Sequence, residues 1–252
     1  MGARRIVSLC PSLTELVFDL GLGADLVGIT NYCVHPRGLV DAVEKVGGTK
    51  DPNVARIVEL APDVVLVNEE ENRREDAEAL GTAGIRVANS FPKDSLETAT
   101  MVRDFGRVLG VEAAAETIAL DIEARTRAVR ARARERSTTR SFAYLIWRKP
   151  WMSVNAETFA SALLCQAGGR NVFAEREPRY LSFDVAELAA AAPERVLLCT
   201  EPFPFQHKHI VELAAATGLD EACFRIVDGE YLSWHGSRTP DGVDYAESAL
   251  WD

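Results

Sequence analysis

Trp147, Arg148, Lys149, Pro150 and Trp151 place two of the chain's four tryptophans within five residues, in a basic bend directly after an apolar run. Open α/β sheets bind ligands outside the carboxyl ends of their strands, so this bend is a candidate ligand surface. Glu201, Phe203 and Phe205 follow a second apolar run, and Trp234 with His235 follows a third. Aromatic rings in loops suit the wall of an apolar pocket. Ser12, Tyr32, His35, Glu70 and Phe91 fall in turns of the first half. Tyr180 and Arg238 complete the candidate set in the second half.

Other chemistries have thinner support. Cys33 and His35 are soft-metal ligand types, and His207, His209 and His235 could join them, but a structural zinc site needs four ligands. No protein-held metal is expected. A nucleophile–base pair could come from Cys33 with His35, or Ser233 with His235, yet neither has an orienting acid. Glu69, Glu70 and Glu71 serve as helix N-terminal charges or meet a polar ligand edge. Ser12 with Glu15 reads as a capping box. Cys10, Cys165, Cys199 and Cys223 read as buried small hydrophobes. There is no phosphate loop, dinucleotide fingerprint or nucleophile elbow, so no catalytic residue is expected.

The elements that must position these residues alternate. Strands are expected over 5–10, 26–30, 64–67 and 85–88, with helices over 13–20, 51–59, 71–80 and 96–109. Asp51 and Pro52 are expected to start the second of those helices. A helical pattern free of Gly and Pro then runs from Glu112 to Arg136, about 37 Å at 1.5 Å per residue. Its early acids and late arginines suit the helix dipole and a solvated face. Strands at 142–146, 196–199 and 224–227 follow, with helices at 158–167, 184–192, 207–216 and 245–251. The fold class is α/β: two Rossmann-like lobes with mostly parallel central sheets, joined by one long backbone helix. The expected domains are a lobe over 1–110, the inter-lobe helix over 111–137 and a second lobe over 138–252.

The 252 residues, 47% hydrophobic and 26% charged, can bury a large core. The formal charge of -10 disfavours nucleic acid as a partner. No apolar run is long enough to span a membrane, and the start reads as a first strand, not a signal peptide. Five cysteines without a pairing pattern suit a reducing compartment, so the expected location is cytoplasmic for the sequence as written.

Several segments together resemble a known family. They are Ile6 to Glu15, Val46-Gly47-Gly48, Ile57 to Val67 with Leu60, Pro62 and Asp63, Leu163 to Phe173 with Gly168, Gly169 and Asn171, and Trp234 ahead of Ser237-Arg238-Thr239-Pro240. In order and spacing the chain resembles the periplasmic substrate-binding proteins of vitamin B12 and ferric-siderophore ABC importers, the helical-backbone metal receptors. It is most similar to their cobalamin-binding branch. The resemblance implies a class III periplasmic-binding-protein-like fold and capture, without catalysis, of a corrinoid or other metal chelate in the inter-lobe cleft. Tyr32 and Trp234 fall near ligand-lining positions of that branch. Where the branch has a tryptophan after the 64–67 strand, this chain has Asn68 and the three glutamates.

The resemblance also implies an ABC permease as partner, docked through Glu75 or Glu78 and Glu175 or Glu177, and an extracytoplasmic location if the start was trimmed. The expected protein is a monomer. Planar rings would pack on Trp147, Trp151 and Trp234, with Tyr32, Glu201 and His235 orienting the ligand edge and His35 or His235 approaching its metal. Two alternatives stay open. One is a cytoplasmic enzyme or chaperone acting on a corrinoid or haem-like cofactor through Glu70, His35 or Cys33. The other is a receptor for a small organic anion, using helix N-termini at Ser12 and Asn72.

Overall fold

Apolar runs such as Val64-Val65-Leu66-Val67 have no polar alternation, so both faces of the strands they form must be covered. The computed structural model, which describes residues 4–252, meets that demand in two compact units. The first comprises the chain up to Pro92, Thr98–Leu120 and His235–Arg238. The second comprises Lys93–Glu97, Asp121–Trp234 and Thr239–Asp252.

Among the described residues the first unit holds a four-stranded parallel sheet. Its strands are β1 (Ile6–Ser8), β2 (Leu26–Ile29), β3 (Val64–Asn68) and β4 (Val87–Ser90), in the order β2-β1-β3-β4. Helices α1 (Pro11–Asp19), α2 (Val54–Glu59), α3 (Arg74–Thr82), α4 (Ser95–Leu109) and α5 (Glu112–Glu135) follow the expected alternation. Val7, Leu9, Ile57, Val65, Val67 and Leu80 form one of its cores.

Two helix starts differ from expectation. α2 begins at Val54, because Asn53 and not Asp51 caps it by accepting from Arg56 N at 3.0 Å. α3 begins at Arg74, so its first-turn acids are Glu75 and Asp76. Glu69 to Glu71 belong to the turn before it, whose N–H groups at 70 and 71 are taken by the Asn68 side chain.

The second unit holds a mixed sheet of β5 (Arg140–Trp147), β6 (Met152–Val154), β8 (Tyr180–Ser182), β9 (Arg195–Cys199) and β10 (Phe224–Val227), in the order β10-β9-β5-β6-β8. β7 (Gly169–Asn171) pairs with the start of β5. β10, β9, β5 and β7 run parallel, while β6 pairs antiparallel with both β5 and β8. The three short strands β6, β7 and β8 escaped the sequence reading. Each has only three residues, too few to show a period.

Helices α6 (Phe159–Gln166), α7 (Val185–Ala191), α8 (His207–Thr217), α9 (Gly229–Ser233) and α10 (Thr239–Trp251) cover the sheet. Phe142, Tyr144, Leu163, Leu197 and Leu250 pack on one face, and Leu145, Phe173, Leu198, Phe205 and Leu213 on the other.

The final helix is longer than expected, starting at Thr239 with Pro240 in its first turn, where a missing N–H costs nothing. Its acids take up much of the arginine run. Arg125 pairs with Asp241 and Asp244 at 2.9 Å, and Arg132 and Arg136 pair with Glu247 at 2.5 Å. That surface of α5 is therefore an ion-pair ladder and not simply a solvated face.

At the end of the ladder, Arg136 and Arg140 lie over the Trp251 ring at 4.7 and 4.6 Å, and Trp251 Nε1 donates to Ala167 O at 2.8 Å. This ring ties the last turn of α10 to α5, α6 and β5. Trp251→Ala is expected to lower the unfolding free energy by about 2–3 kcal/mol. Urea denaturation followed by circular dichroism measures it.

Candidate functional site

The parallel register of β5 and β9, with Phe142 opposite Arg195 and Leu145 opposite Leu198, brings the turns that leave both strands together at one edge. Trp147 ends β5 with 41% of its surface exposed and meets Phe203 edge-on at 5.5 Å. Phe203 packs on Phe205 at 4.7 Å, and Phe205 stacks on Trp151 at 6.1 Å with ring planes 5° apart. Four of the aromatics expected at strand ends thus form one ring platform within the second unit. The guanidinium of Arg148 lies 5.6 Å over Trp151 and donates to both oxygens of Glu212, at 3.0 and 2.7 Å. Tyr180, on β8 opposite Val154, has a 39%-exposed ring with the Arg179 guanidinium 5.8 Å from it.

His209 lies beneath the platform, edge-on to Phe203 and Phe205 at 5.4 and 5.5 Å. Its Nδ1 accepts from Gln206 N at 2.9 Å at the start of α8. A ring nitrogen that accepts a backbone N–H carries no proton, so this histidine supports the platform and is no metal ligand through Nδ1.

Glu201 is held from two sides. Trp234 Nε1 donates to its Oε2 at 3.0 Å. Gly229 passes so close that a Cβ there would lie 2.5 Å from Glu201 O, which only glycine allows. Trp234 itself is 6% exposed, so it braces Glu201 and does not offer the open ring face expected of it.

At the strand ends of the first unit, Tyr32 is 61% exposed, while most other candidates are committed to the fold. Ser12 is buried inside α1, its Oγ 3.3 Å from Cys10 Sγ, and the N-cap of α1 is Cys10 with no side-chain cap bond. The expected capping box is absent because Glu15 instead accepts from Arg238 Nε and Nη2, at 2.9 and 2.6 Å. Asn72 does not open a helix: it is buried, accepting from Asn68 N and donating to Leu9 O and Thr49 O. An anion receptor built on Ser12 and Asn72 therefore has no support.

Cys33 turns its thiol into a buried hydroxyl cluster, 3.0 Å from Thr14 Oγ1 and 3.2 Å from Thr30 Oγ1. It does not pair with His35 as a metal site. Among the described residues no group of three or more His, Cys, Asp or Glu could hold a metal ion. Cys10 and Cys199 are buried as expected, and burial pushes both thiols up to about 12. Cys165 is exposed and Cys223 half-buried, against expectation.

His235 is also fixed. Asn68 Oδ1 accepts from Glu70 N at 3.0 Å and Glu71 N at 3.2 Å, so the other end of that amide must be the donor. Its Nδ2 lies 3.1 Å from His235 Nε2, which is therefore the acceptor, and the ring is 7% exposed. An Nε2 used this way does not approach a ligand metal.

The acidic turn is held in part by Lys50 Nζ donating to Glu70 O at 2.6 Å and Asn89 Nδ2 to Glu69 Oε1 at 2.5 Å. Burial raises the Glu71 carboxyl above its ordinary 4.5, partly offset by Lys50. His35 and Phe91 are half-buried. Glu212 and Gly229 are positioning residues that sequence reasoning missed, and Asn68, noted there only for standing in place of a tryptophan, is a third.

The family profile described as Periplasmic binding protein matches residues 6–215. The chain belongs to this family. It is 22% identical over 242 residues to a vitamin B12-binding protein of Vibrio cholerae, covering 96% of this chain and 87% of that one. It is 26% identical over 196 residues to a vitamin B12-binding protein of Photorhabdus laumondii, covering 77% and 70%.

Among solved structures, the periplasmic vitamin B12-binding protein of Vibrio cholerae superposes with a TM-score of 0.84 at 22% identity, over 98% of this chain and 96% of that one. The periplasmic haem-binding protein of Roseiflexus gives 0.85 at 22%, over 99% and 100%. These likenesses show the fold, an α/β class III periplasmic-binding-protein architecture with parallel and mixed sheets. The protein is accordingly a non-catalytic binding protein, which sets aside the enzyme alternative.

The platform has a proton linkage of its own. Burial, then the charges of Lys208 and Arg148, hold the His209 pKa below the ordinary 6.5. The unfolded chain then binds the proton first, so the stability from the neutral ring is present above pH 6.5 and is lost as pH falls below it. His209→Gln, which keeps an acceptor for the helix start, should show a smaller drop in urea midpoint between pH 7 and pH 5 than the wild type.

Proposed function

We propose that this protein captures a corrinoid or a closely related metal chelate, and that it is the substrate-binding component of an ABC importer. The observation that carries this reading is the ring platform of Trp147, Phe203, Phe205 and Trp151, which leaves Trp147 partly open at a strand end. Flat macrocycles bury large apolar faces against such rings, and a few polar groups then set orientation. The vitamin B12-binding and haem-binding names of relatives on this fold support the same ligand class.

Trp147, Trp151, Phe203 and Tyr180 supply the apolar wall, with Glu201 at its edge. The exposed carboxylates of Glu75, Glu78, Glu175 and Glu177 are the candidates for docking on permease arginines. Such a protein works outside the cytoplasmic membrane, as the family does, in place of the cytoplasmic setting expected from the sequence as written. Among the described residues no helix is long and apolar enough to cross a membrane.

Titration with cyanocobalamin, cobinamide and haem, followed by visible absorption, tests the proposal. A saturable band shift at one equivalent with a corrinoid is the expected result. Trp147→Ala should weaken it by about 2 kcal/mol, roughly thirtyfold. A shift with haem alone would move the assignment to haem, and no shift with any of the three would end the macrocycle reading.

A further inference from the structure

The opposite end of the second sheet carries a cluster that ligand capture does not use. Arg140 opens β5, Arg195 opens β9, and Arg225 is the second residue of β10. Phe142 is in register with Arg195, and Leu197 with Arg225. Residues in register across parallel strands point the same way, and every second residue shares a face. Arg140, Phe142, Arg195, Leu197 and Arg225 therefore stand on one face, the one whose core contains Phe142, Leu197 and Leu250.

The end of α10 closes over that face. Arg140 Nη1 donates to Leu250 O at 2.7 Å, and Arg225 Nη1 to Ser248 O at 2.9 Å and Ala249 O at 3.3 Å. Arg136 joins from the end of α5 over the Trp251 ring.

A helix C-terminus offers only about half a negative charge, less than one arginine needs. Arg140 and Arg225 make no ion pair with a carboxylate among the described residues, although Glu194 acts on Arg140 through space. Glu247 is shared by Arg132 and Arg136, and Glu194 Oε2 accepts from Ser141 N at 2.8 Å and Ser141 Oγ at 3.0 Å. Two N–H groups shielded from solvent, Arg136 Nη1 and Arg195 Nε, have no acceptor among the described residues. Burial and the like charges of Arg195, Arg225 and Arg136 push the Arg140 guanidinium below its ordinary value, with Glu194 opposing. Each guanidinium is a fork of five donors, and Arg140, Arg195 and Arg225 keep part of their surface in solvent.

The geometry points to a small-oxyanion site at the N-terminal edge of the second sheet, in which Arg140, Arg195 and Arg225 hold an ion of phosphate or sulfate type against the end of α10. Such an ion supplies an acceptor for Arg195 Nε and offsets charges that otherwise repel. Bidentate guanidinium–oxyanion pairing is the strong form of this contact. The site is independent of the ring platform, which lies at the other ends of the same strands.

Calorimetric titration of the whole protein with inorganic phosphate, against sodium chloride at matched ionic strength, tests it. One saturable equivalent of phosphate is expected, with a higher melting temperature than in chloride. Arg195→Gln and Arg225→Gln should each weaken binding at least tenfold, and Trp147→Ala should leave it unchanged. In the wild type, phosphate should protect Arg195 from phenylglyoxal, read by peptide mass spectrometry, which locates the ion without any substitution. The proposal is overturned if phosphate acts no differently from chloride. It is equally overturned if binding survives both substitutions, or if Arg195 reacts at the same rate with and without phosphate. A corrinoid titration that fails while phosphate binds would count against the proposed function alone.

Discussion

The parallel pairing of β5 with β9 and β10 is the constraint on which the second unit depends. Hydrogen bonding in register leaves no freedom in which turns become neighbours, because a slip of one residue would exchange the two faces of every strand. With Leu145 opposite Leu198, the turn holding Trp147 and Trp151 must meet the turn holding Glu201, Phe203 and Phe205. The same pairing, read backwards along the strands, puts Arg140, Arg195 and Arg225 on one face, each two residues further along than the last. One backbone arrangement thus gathers aromatic rings at the carboxyl edge and guanidiniums at the amino edge.

The first unit uses its polar residues differently. Asn68 occupies the end of a central strand, where an aromatic side chain could have met a ligand, and it is almost fully buried. Its amide takes two backbone N–H groups with one end and faces Ser90 and His235 with the other. A buried amide that satisfied fixes the turn of Glu69 to Glu71 more firmly than a ring could, since an unpaired amide would be costly. The consequence is a strand edge that is polar, braced and acidic. Tyr32 is its exposed aromatic outlier.

Much of this was legible in the chain. Continuous apolar runs at 64–67 and 196–199 announced buried parallel strands, and the turns after them were the right places to look for a ligand surface. Aromatic density picked out Trp147, Trp151, Phe203 and Phe205 before their contacts were known.

What stayed hidden has physical causes. Three-residue strands have no measurable period, so β6, β7 and β8 were invisible. Pro240 and Gly242 resemble breakers, yet α10 runs through both. Three consecutive glutamates look like first-turn helix charges, but a side chain four positions before Asn72 had already claimed the N–H groups at 70 and 71. The pairs Asn68 with His235 and Arg148 with Glu212 lie 167 and 64 residues apart, and no local pattern encodes such contacts.

Net charge is a poor guide to either edge of the second sheet. The chain carries a formal charge of -10, but charges separated by more than a Debye length, about 8 Å at physiological ionic strength, are largely screened. Local pairing decides. At the ring platform the bidentate contact with Glu212 neutralises Arg148, so the basic bend read from the sequence offers Trp151 a cation–π neighbour more than a free charge. A neutral planar ligand suits that surface better than a strongly anionic one. At the amino edge Arg140 and Arg225 reach carbonyl oxygens of α10 and not a carboxylate, so their charge is only partly offset, chiefly by Glu194. Arginine thus plays two roles within one sheet, distinguished by whether a carboxylate on a neighbouring helix reaches it.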